Sequence, residues 1–238
     1  MQNQNGIVIV AVEILMLATM EDGMENGVKK IELIGICGFA SAGKDTVGQR
    51  LVEEHGYTSM AFADPVKDCL VNIFGWDREM LAGRTKESRA WREEIDPWWA
   101  NKLGIPGFTP RFAMQNFGTD VMRKVFHDQI WIINMERRIL DAKGKIVITD
   151  GRFANEIRML QRLGGMVYRV KRGSDPVWMD TAILANEGDQ IARKRLNEVF
   201  KVHESEWAWI GEQLDGSIRN DHGIEKLYER VDELVAGA

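Results

Sequence analysis

The chain is 238 residues long, enough to bury one substantial core with a small lid but not two independent domains. Its 31 basic and 36 acidic side chains leave a net charge of −5, with no basic excess to displace the counterions of a polymeric nucleic acid. Two cysteines, Cys37 and Cys69, give no disulfide framework, and the four histidines show no zinc-like spacing. Both cysteines sit in apolar stretches and read as buried free thiols of a reducing compartment, hence a cytoplasmic protein.

Residues 7–20 are apolar but broken by Glu13, too short for a membrane span and without the basic start of a signal peptide. Residues 1–23 therefore read as a nonessential extension, with a single domain over 24–238. The stretch IELIGICGFASAGKDT (31–46) is an apolar strand that runs into a glycine-rich turn and a lysine. Gly38 and Gly43 bracket four residues before Lys44, the G-x-x-x-x-G-K spacing of a phosphate-cradling loop. Glycines let backbone N–H groups converge on phosphate oxygens, and the helix that follows points its positive end at them. Lys44 then reaches the outer phosphates as a mobile point charge. Asp45 stands where Ser or Thr normally ligates Mg²⁺, with Thr46 next. A carboxylate there is favoured by the helix dipole and has three readings: a metal ligand, a group that orients the nucleophile, or a helix-start residue without chemistry.

After that helix, residues 57–63 read as a short strand ending in Asp64-Pro65, with Asp64 as cap of a helix over 66–74. Residues 75–108 carry Trp76, Trp91, Trp98 and Trp99 among charges and prolines, and are expected to form short helices as a substrate-side wall. Thr109 caps a helix to about Phe126, and Asp128 caps another over 129–142. Arg111, Gln115, Thr119 and Arg123 recur every four residues and so share a helical face, where two arginines can clamp phosphate while the amide reads a base or sugar. A solvated helix face is the alternative for that stripe.

Residues 145–149 form a buried-strand pattern ending in Asp150-Gly151-Arg152, the position of a carboxylate that meets Mg²⁺ or its waters. Arg152 is placed to contact phosphate, with Glu156 one helical turn on to orient it; a bare Asp-Gly turn is the plainer reading. A helix over 155–163, a strand over 166–170, a short strand at 217–219 and a closing helix over 224–235 complete the pattern. The basic, glycine-punctuated segment 171–200 reads as a lid, with Arg172 its best candidate for the transferring phosphoryl group. Strands alternating with helices imply a parallel sheet with ligands at the strands' C-terminal ends, where Lys44, Asp64 and Asp150 all fall.

Taken together, GFASAGKDT (38–46), FADPVK (62–67), RFAMQNFGTDVMR (111–123), ITDGRFANE (148–156), GGMVYRV (164–170), HESE (203–206) and the D-x-x-I-x-N pattern at 215–220 resemble the phage-type deoxynucleoside monophosphate kinases. The resemblance spans residues 30–235 in family order. It implies an α/β P-loop kinase fold, a three-layer sandwich on a central parallel sheet, with a substrate-side helical region over 75–142 and a lid over 171–200. It implies transfer of the ATP γ-phosphoryl group to a deoxynucleoside 5′-monophosphate, with Mg²⁺. Gly38, Ser41, Ala42, Gly43, Lys44, Asp45 and Thr46 would hold the ATP phosphates. Asp45, Thr46 and Asp150 would face the metal; Lys67, Arg111, Gln115, Arg123, Arg152 and Glu156 would serve the acceptor. Lys44, Asp45, Asp150 and Arg172 form the expected catalytic set. A homodimer is also implied, in the host cytoplasm if the chain is phage-encoded. Animal-type phosphomevalonate kinases share the G-K-D loop and a later Asp-x-Arg element, so a different small phosphate acceptor stays open. So does a non-catalytic ATP-binding regulatory protein.

Overall fold

The computed structural model describes residues 32–237, so the expectation for residues 1–23 lies outside the described residues. Strand β1 (Glu32–Cys37) lies at the centre of a five-stranded sheet with β2 (Thr58–Met60), β3 (Lys145–Ile148), β4 (Met166–Lys171) and β5 (Gly216–Arg219), in the order β2-β3-β1-β4-β5. All pairings are parallel, with Ile34 opposite Val147 on one side and Met166 on the other. The expected α/β three-layer architecture is therefore present. Alternation along β1 explains the layers. Ile34 and Ile36 pack with Val47, Leu51, Leu227 and Val231, from helices α1 (Lys44–His55) and α12 (Ile224–Ala236). Gly35 faces the other way and leaves room for Leu160, on α8 (Ala154–Arg162). A strand buried on both faces needs continuous apolar sequence, which is what ELIGIC supplies.

Between β2 and β3 the chain builds a helical annex. Helix α2 (Asp64–Phe74) is followed by α3 (Arg78–Ala82), α4 (Lys86–Trp91) and α5 (Pro97–Leu103), then α6 (Pro110–Gln115), a π-helix (Asn116–Phe126) and α7 (Ile130–Asp141). The short helices expected over 75–108 are present, each capped by the residue before it: Asp77, Thr85 and Asp96. Their tryptophans do not form a wall around a cleft. Trp76 and Phe108 are buried with Leu70, Leu81 and Trp131 in a second hydrophobic cluster, and Phe74 stacks on Trp76 at 4.5 Å. The Trp76 indole N–H donates to Asp96 (2.9 Å) and that of Trp99 to the Phe74 carbonyl (3.1 Å), so both rings bury without stranding a donor. Trp98 alone of the four is well exposed.

Several boundaries differ from expectation. Strand β2 is three residues long, and the α2 cap is Ala63, with Asp64 already helical and its carboxylate turned back to accept from the Ala61 N–H (3.0 Å). Asp128 caps nothing; Gln129 precedes α7, and Asp128 accepts instead from the Asn155 side chain at 3.4 Å. Thr109 does cap its helix, accepting from Phe112 N–H, but α-helical geometry ends at Gln115. From Asn116 the turns widen into a π-helix that closes with the His127 N–H on the Met122 carbonyl (2.9 Å). The segment after β4 is a hairpin of α9 (Met179–Asn186) and α10 (Gln190–Glu198), followed by the short α11 (Glu204–Trp207). Among the described residues, no helix is long and apolar enough to cross a membrane.

Candidate active site

The loop Gly38–Gly43 leaves the end of β1 and enters α1 with glycine at its two strained points, Gly38 at φ 135° and Gly43 at φ 104°. A Cβ on Gly38 would overlap the Val170 carbonyl oxygen, and one on Gly43 would sit 2.5 Å from the Asn220 amide nitrogen. Ser41 also adopts a positive φ, of 61°. The loop is therefore clamped against the ends of β4 and β5. Asn220 fastens it directly, donating from its side chain to the Ala42 carbonyl (2.8 Å) while its own N–H donates to Lys171 (2.8 Å). Phe39 is held from outside the loop, edge-on to Trp178 and against Trp209, with the Arg169 guanidinium over its ring.

Lys44 curls over the loop and donates to the Phe39 carbonyl at 2.8 Å. Burial pushes its pKa below the usual lysine value, and the nearby Arg152 guanidinium adds to the shift, against Asp45 and Glu206. Two cations thus converge at the ends of neighbouring strands, Lys44 after β1 and Arg152 after β3. Arg152 pairs with Glu206 (2.8 Å), at the start of α11, with Ser205 at 3.5 Å. His203 caps that helix turn, accepting from the Ser205 N–H. The HESE segment (203–206) thus brings a carboxylate within electrostatic reach of Lys44.

Asp150 sits at the C-terminal end of β3, its two oxygens accepting from the Phe62 and Ala63 N–H groups at 3.0 Å each. Burial raises its pKa, opposed by those amides and by Lys67 and Arg152. Asp64, just beyond, is held the other way. Burial would raise it, but Lys67 (3.5 Å), Arg78 (3.0 Å) and the Ala61 N–H outweigh that and lower it. Arg138 lies 3.6 Å from the same carboxylate and donates to the Ala61 carbonyl at 3.1 Å. Among the described residues, no three His, Cys, Asp or Glu side chains gather into a protein-only metal cage. Mg²⁺ does not need one: one or two carboxylates suffice when substrate phosphates and water complete the octahedron. Asp45 is exposed in the first turn of α1, and each Asp150 oxygen keeps a lone pair beyond its amide bond, so the donor set fits.

The members of the expected arginine stripe meet different partners, on a helix that passes from α to π geometry after Gln115. Arg111 points toward Glu93 (2.8 Å), Gln115 is exposed, and Arg123 is buried. Arg123 pairs with Glu156 and lies over the Phe153 ring, 4.1 Å from its centroid. Glu156 is buried as well, and its other oxygen accepts from the N–H groups of Arg152 (2.7 Å) and Phe153 (3.1 Å). These two side chains therefore hold the backbone that presents Arg152 rather than facing a ligand. Burial lifts the Glu156 carboxyl to about 7, with Arg123 pulling it down.

Arg172 is exposed and, among the described residues, makes no side-chain hydrogen bond or ion pair. It borders two cavities. One of about 240 Å³ lies beside Thr46, Asn220, Asp221, Ile224 and Leu227; the other, of about 260 Å³, lies over Phe39, Ala40, Ser41 and Ala42.

No family model matches the chain. Two viral proteins are similar to it. A protein of Acanthamoeba polyphaga mimivirus, provisionally named a deoxynucleotide monophosphate kinase, is 28% identical over 154 residues, covering 59% of this chain and 74% of its own. The deoxynucleoside-5′-monophosphate kinase of Escherichia phage T5 is 28% identical over 180 residues, covering 54% of this chain and 71% of its own. Among solved structures, dephospho-CoA kinase from Campylobacter jejuni aligns over 87% of this chain and 97% of its own, at 16% identity and a TM-score of 0.37. Shikimate kinase from Acinetobacter baumannii aligns over 88% and 95%, at 15% identity and a TM-score of 0.38. Likenesses this loose say nothing of chemistry.

Sequence reasoning missed Asn220 as the loop's fastener, although its D-x-x-I-x-N pattern was visible. Glu206 lies within the quoted HESE motif, whereas Arg78, Arg138 and the half-buried Arg92 carry no spacing signal that would have marked them.

Proposed function

We propose that the protein transfers the γ-phosphoryl group of ATP to a deoxynucleoside 5′-monophosphate, giving the diphosphate. The observation that carries this reading is the placing of Lys44 and Arg152 at the ends of adjacent strands, with Arg152 close enough to disfavour the charge on Lys44. A phosphate loop alone would serve any nucleotide. A second cation at the neighbouring strand end suits a second phosphate, and similarity to two viral proteins bearing this kinase name directs the choice of acceptor.

In this reading the loop N–H groups and Lys44 hold the donor phosphates, and the donor nucleoside enters the cavity beside Thr46, Asn220 and Ile224. Arg172, between that cavity and the loop, neutralises donor phosphate charge, and the α9–α10 hairpin beyond it serves as the lid. Arg152 turns from Glu206 to the acceptor phosphate. Asp45, Thr46 and Asp150 would hold Mg²⁺, which when bound supplies charge neutralisation between the phosphates. The acceptor phosphate is already ionised, so positioning and electrostatics are what the protein contributes.

The test is ADP release with Mg·ATP against deoxynucleoside monophosphates, ribonucleoside monophosphates and phosphomevalonate. Turnover with deoxynucleoside monophosphates is expected, and Lys44→Ala should lower kcat by about 10²- to 10³-fold, the scale for losing one preorganised charge contact. Turnover with phosphomevalonate alone would reassign the acceptor. ATP binding without turnover of any acceptor would make the chain a binding protein.

A further inference from the structure

Arg123 is locked to Glu156, which leaves Arg111 and Arg152 of the three arginines expected on the acceptor side. Arg92 ends α4, with its N–H on the Ala90 and Ser88 carbonyls and its own carbonyl accepting from the Arg111 N–H at 2.9 Å. Its guanidinium lies against Gly83, at φ 69°; a Cβ there would overlap Cζ and both terminal nitrogens. Half-buried on that seat, Arg92 makes no side-chain hydrogen bond or ion pair among the described residues, and its Nε is buried without a partner.

The charges around it do not compensate. Arg111, Arg89 and Arg152 are near enough to disfavour its positive charge, and Glu93 is the acidic neighbour, already held by Arg111 at 2.8 Å. A half-buried guanidinium with an orphaned Nε donor among other cations gains from an anion that joins it. A small, doubly charged anion rich in acceptors suits such a cluster, and a phosphate monoester is one. Resting on the kinase reading above, we infer that Arg92 binds the 5′-phosphate of the acceptor, together with Arg111 and Arg152, in the place expected of Arg123.

This gives the tryptophan-rich annex a role. Its packed core of Trp76, Leu81, Ala100 and Phe108 backs the helix α4 that ends at Arg92. Arg92 is a binding residue for the acceptor and has no part in holding the donor.

Arg92→Met keeps an aliphatic stem and removes the charge; Arg92→Lys keeps charge but lacks the planar fork. For wild type and both variants, initial rates would give KM for the deoxynucleoside monophosphate and for ATP. Calorimetry without ATP would give Kd for the monophosphate and for the matching deoxynucleoside. Arg92→Met should raise the monophosphate KM and Kd roughly 10- to 100-fold, the worth of one charge-assisted bond, with ATP KM within about twofold. Arg92→Lys should lie between, and deoxynucleoside binding should not move. If Arg92→Met loses folded protein on melting, Arg92→Lys is read by the same split. An active wild type with unchanged monophosphate KM in the variants, or with ATP KM rising equally, overturns the inference and leaves the kinase reading standing. A wild type that neither phosphorylates nor binds any deoxynucleoside monophosphate overturns both.

Discussion

Arg123→Met separates a structural arginine from a ligand-binding one, because its effect on stability should depend on pH. Arg123 is 7% exposed and Glu156 2%, so the substitution leaves a buried carboxyl facing the Arg152 and Phe153 amides without its cation. Glu156 titrates near 7 in the folded chain, above its ordinary 4.5. A carboxyl raised in this way favours folding at low pH, where the native state holds the proton. That contribution is complete below about pH 4.5 and is lost as pH rises toward the folded value. Removing Arg123 lifts the folded value further and extends the window of loss above pH 7.

The magnitude follows. At pH 6 the wild-type carboxyl is already largely protonated, so the variant loses the contact with the Phe153 ring and one hydrogen bond, about 1 kcal/mol. Above pH 7 the variant must keep or take up a proton that the wild type has released. Each pH unit adds about 1.4 kcal/mol, so by pH 9 the added cost approaches 3 kcal/mol. The total of about 4 kcal/mol agrees with the 3–5 kcal/mol of breaking a buried ion pair. Urea or thermal unfolding at pH 6 and pH 9 measures it. For a domain of this size the midpoint should drop by about 2–4 °C at pH 6 and by about 8–16 °C at pH 9. Arg123→Met/Glu156→Gln, which cannot ionise at that position, should show no such pH dependence. Equal losses at both pH values in the single variant would refute the reasoning.

Two further predictions concern the loop. Gly38→Ala forces a Cβ into the Val170 carbonyl at a φ of 135°, a clash against backbone that no rotamer relieves. It should cost upwards of about 2 kcal/mol in unfolding and abolish tight ATP binding, measured by denaturation and calorimetry; a variant that binds ATP normally would show that the loop is not held against β4. Asn220→Ala removes the side-chain bond to the Ala42 carbonyl without touching phosphate. Losing that bond, worth about 1 kcal/mol, should raise ATP KM roughly fivefold at nearly unchanged acceptor KM. An acceptor KM that rises instead would place Asn220 on the other side of the site.

Local chemistry was legible and tertiary partnership was not. The β1–loop–α1 unit could be read because glycines at 38 and 43 and an apolar run before them answer to local steric rules, and the same holds for Asp150 at a strand end. What failed was inference about partners. Arg111 to Arg123 looked like one ligand-facing stripe, and nothing in that sequence announces that Glu93 meets the first and Glu156 the last. The tryptophans failed in the same way. Indoles bury when a nearby acceptor takes the N–H, and the acceptors here, Asp96 for Trp76 and the Phe74 carbonyl for Trp99, become visible only once the helices have packed.

The same point bears on charge. A sequence shows how many arginines a chain has but not which carboxylates they have already met. Here Arg50 is spent on Asp232, Arg78 on Asp64 and Asp68, Arg123 on Glu156, and Arg158 on Glu212. Net charge of −5 would suggest a poor host for polyanions, yet pairing of this kind removes acids as well as bases from the account. Near the phosphate loop Lys44 and Arg152 stand beside Asp45 and Glu206, with Arg172 unpaired, and Arg92 lies with Arg111 and Arg89 beside one Glu93. An acidic protein can hold two phosphorylated substrates because attraction over a few ångströms is set by the unpaired residue of local charge, while the distant carboxylates are screened by salt.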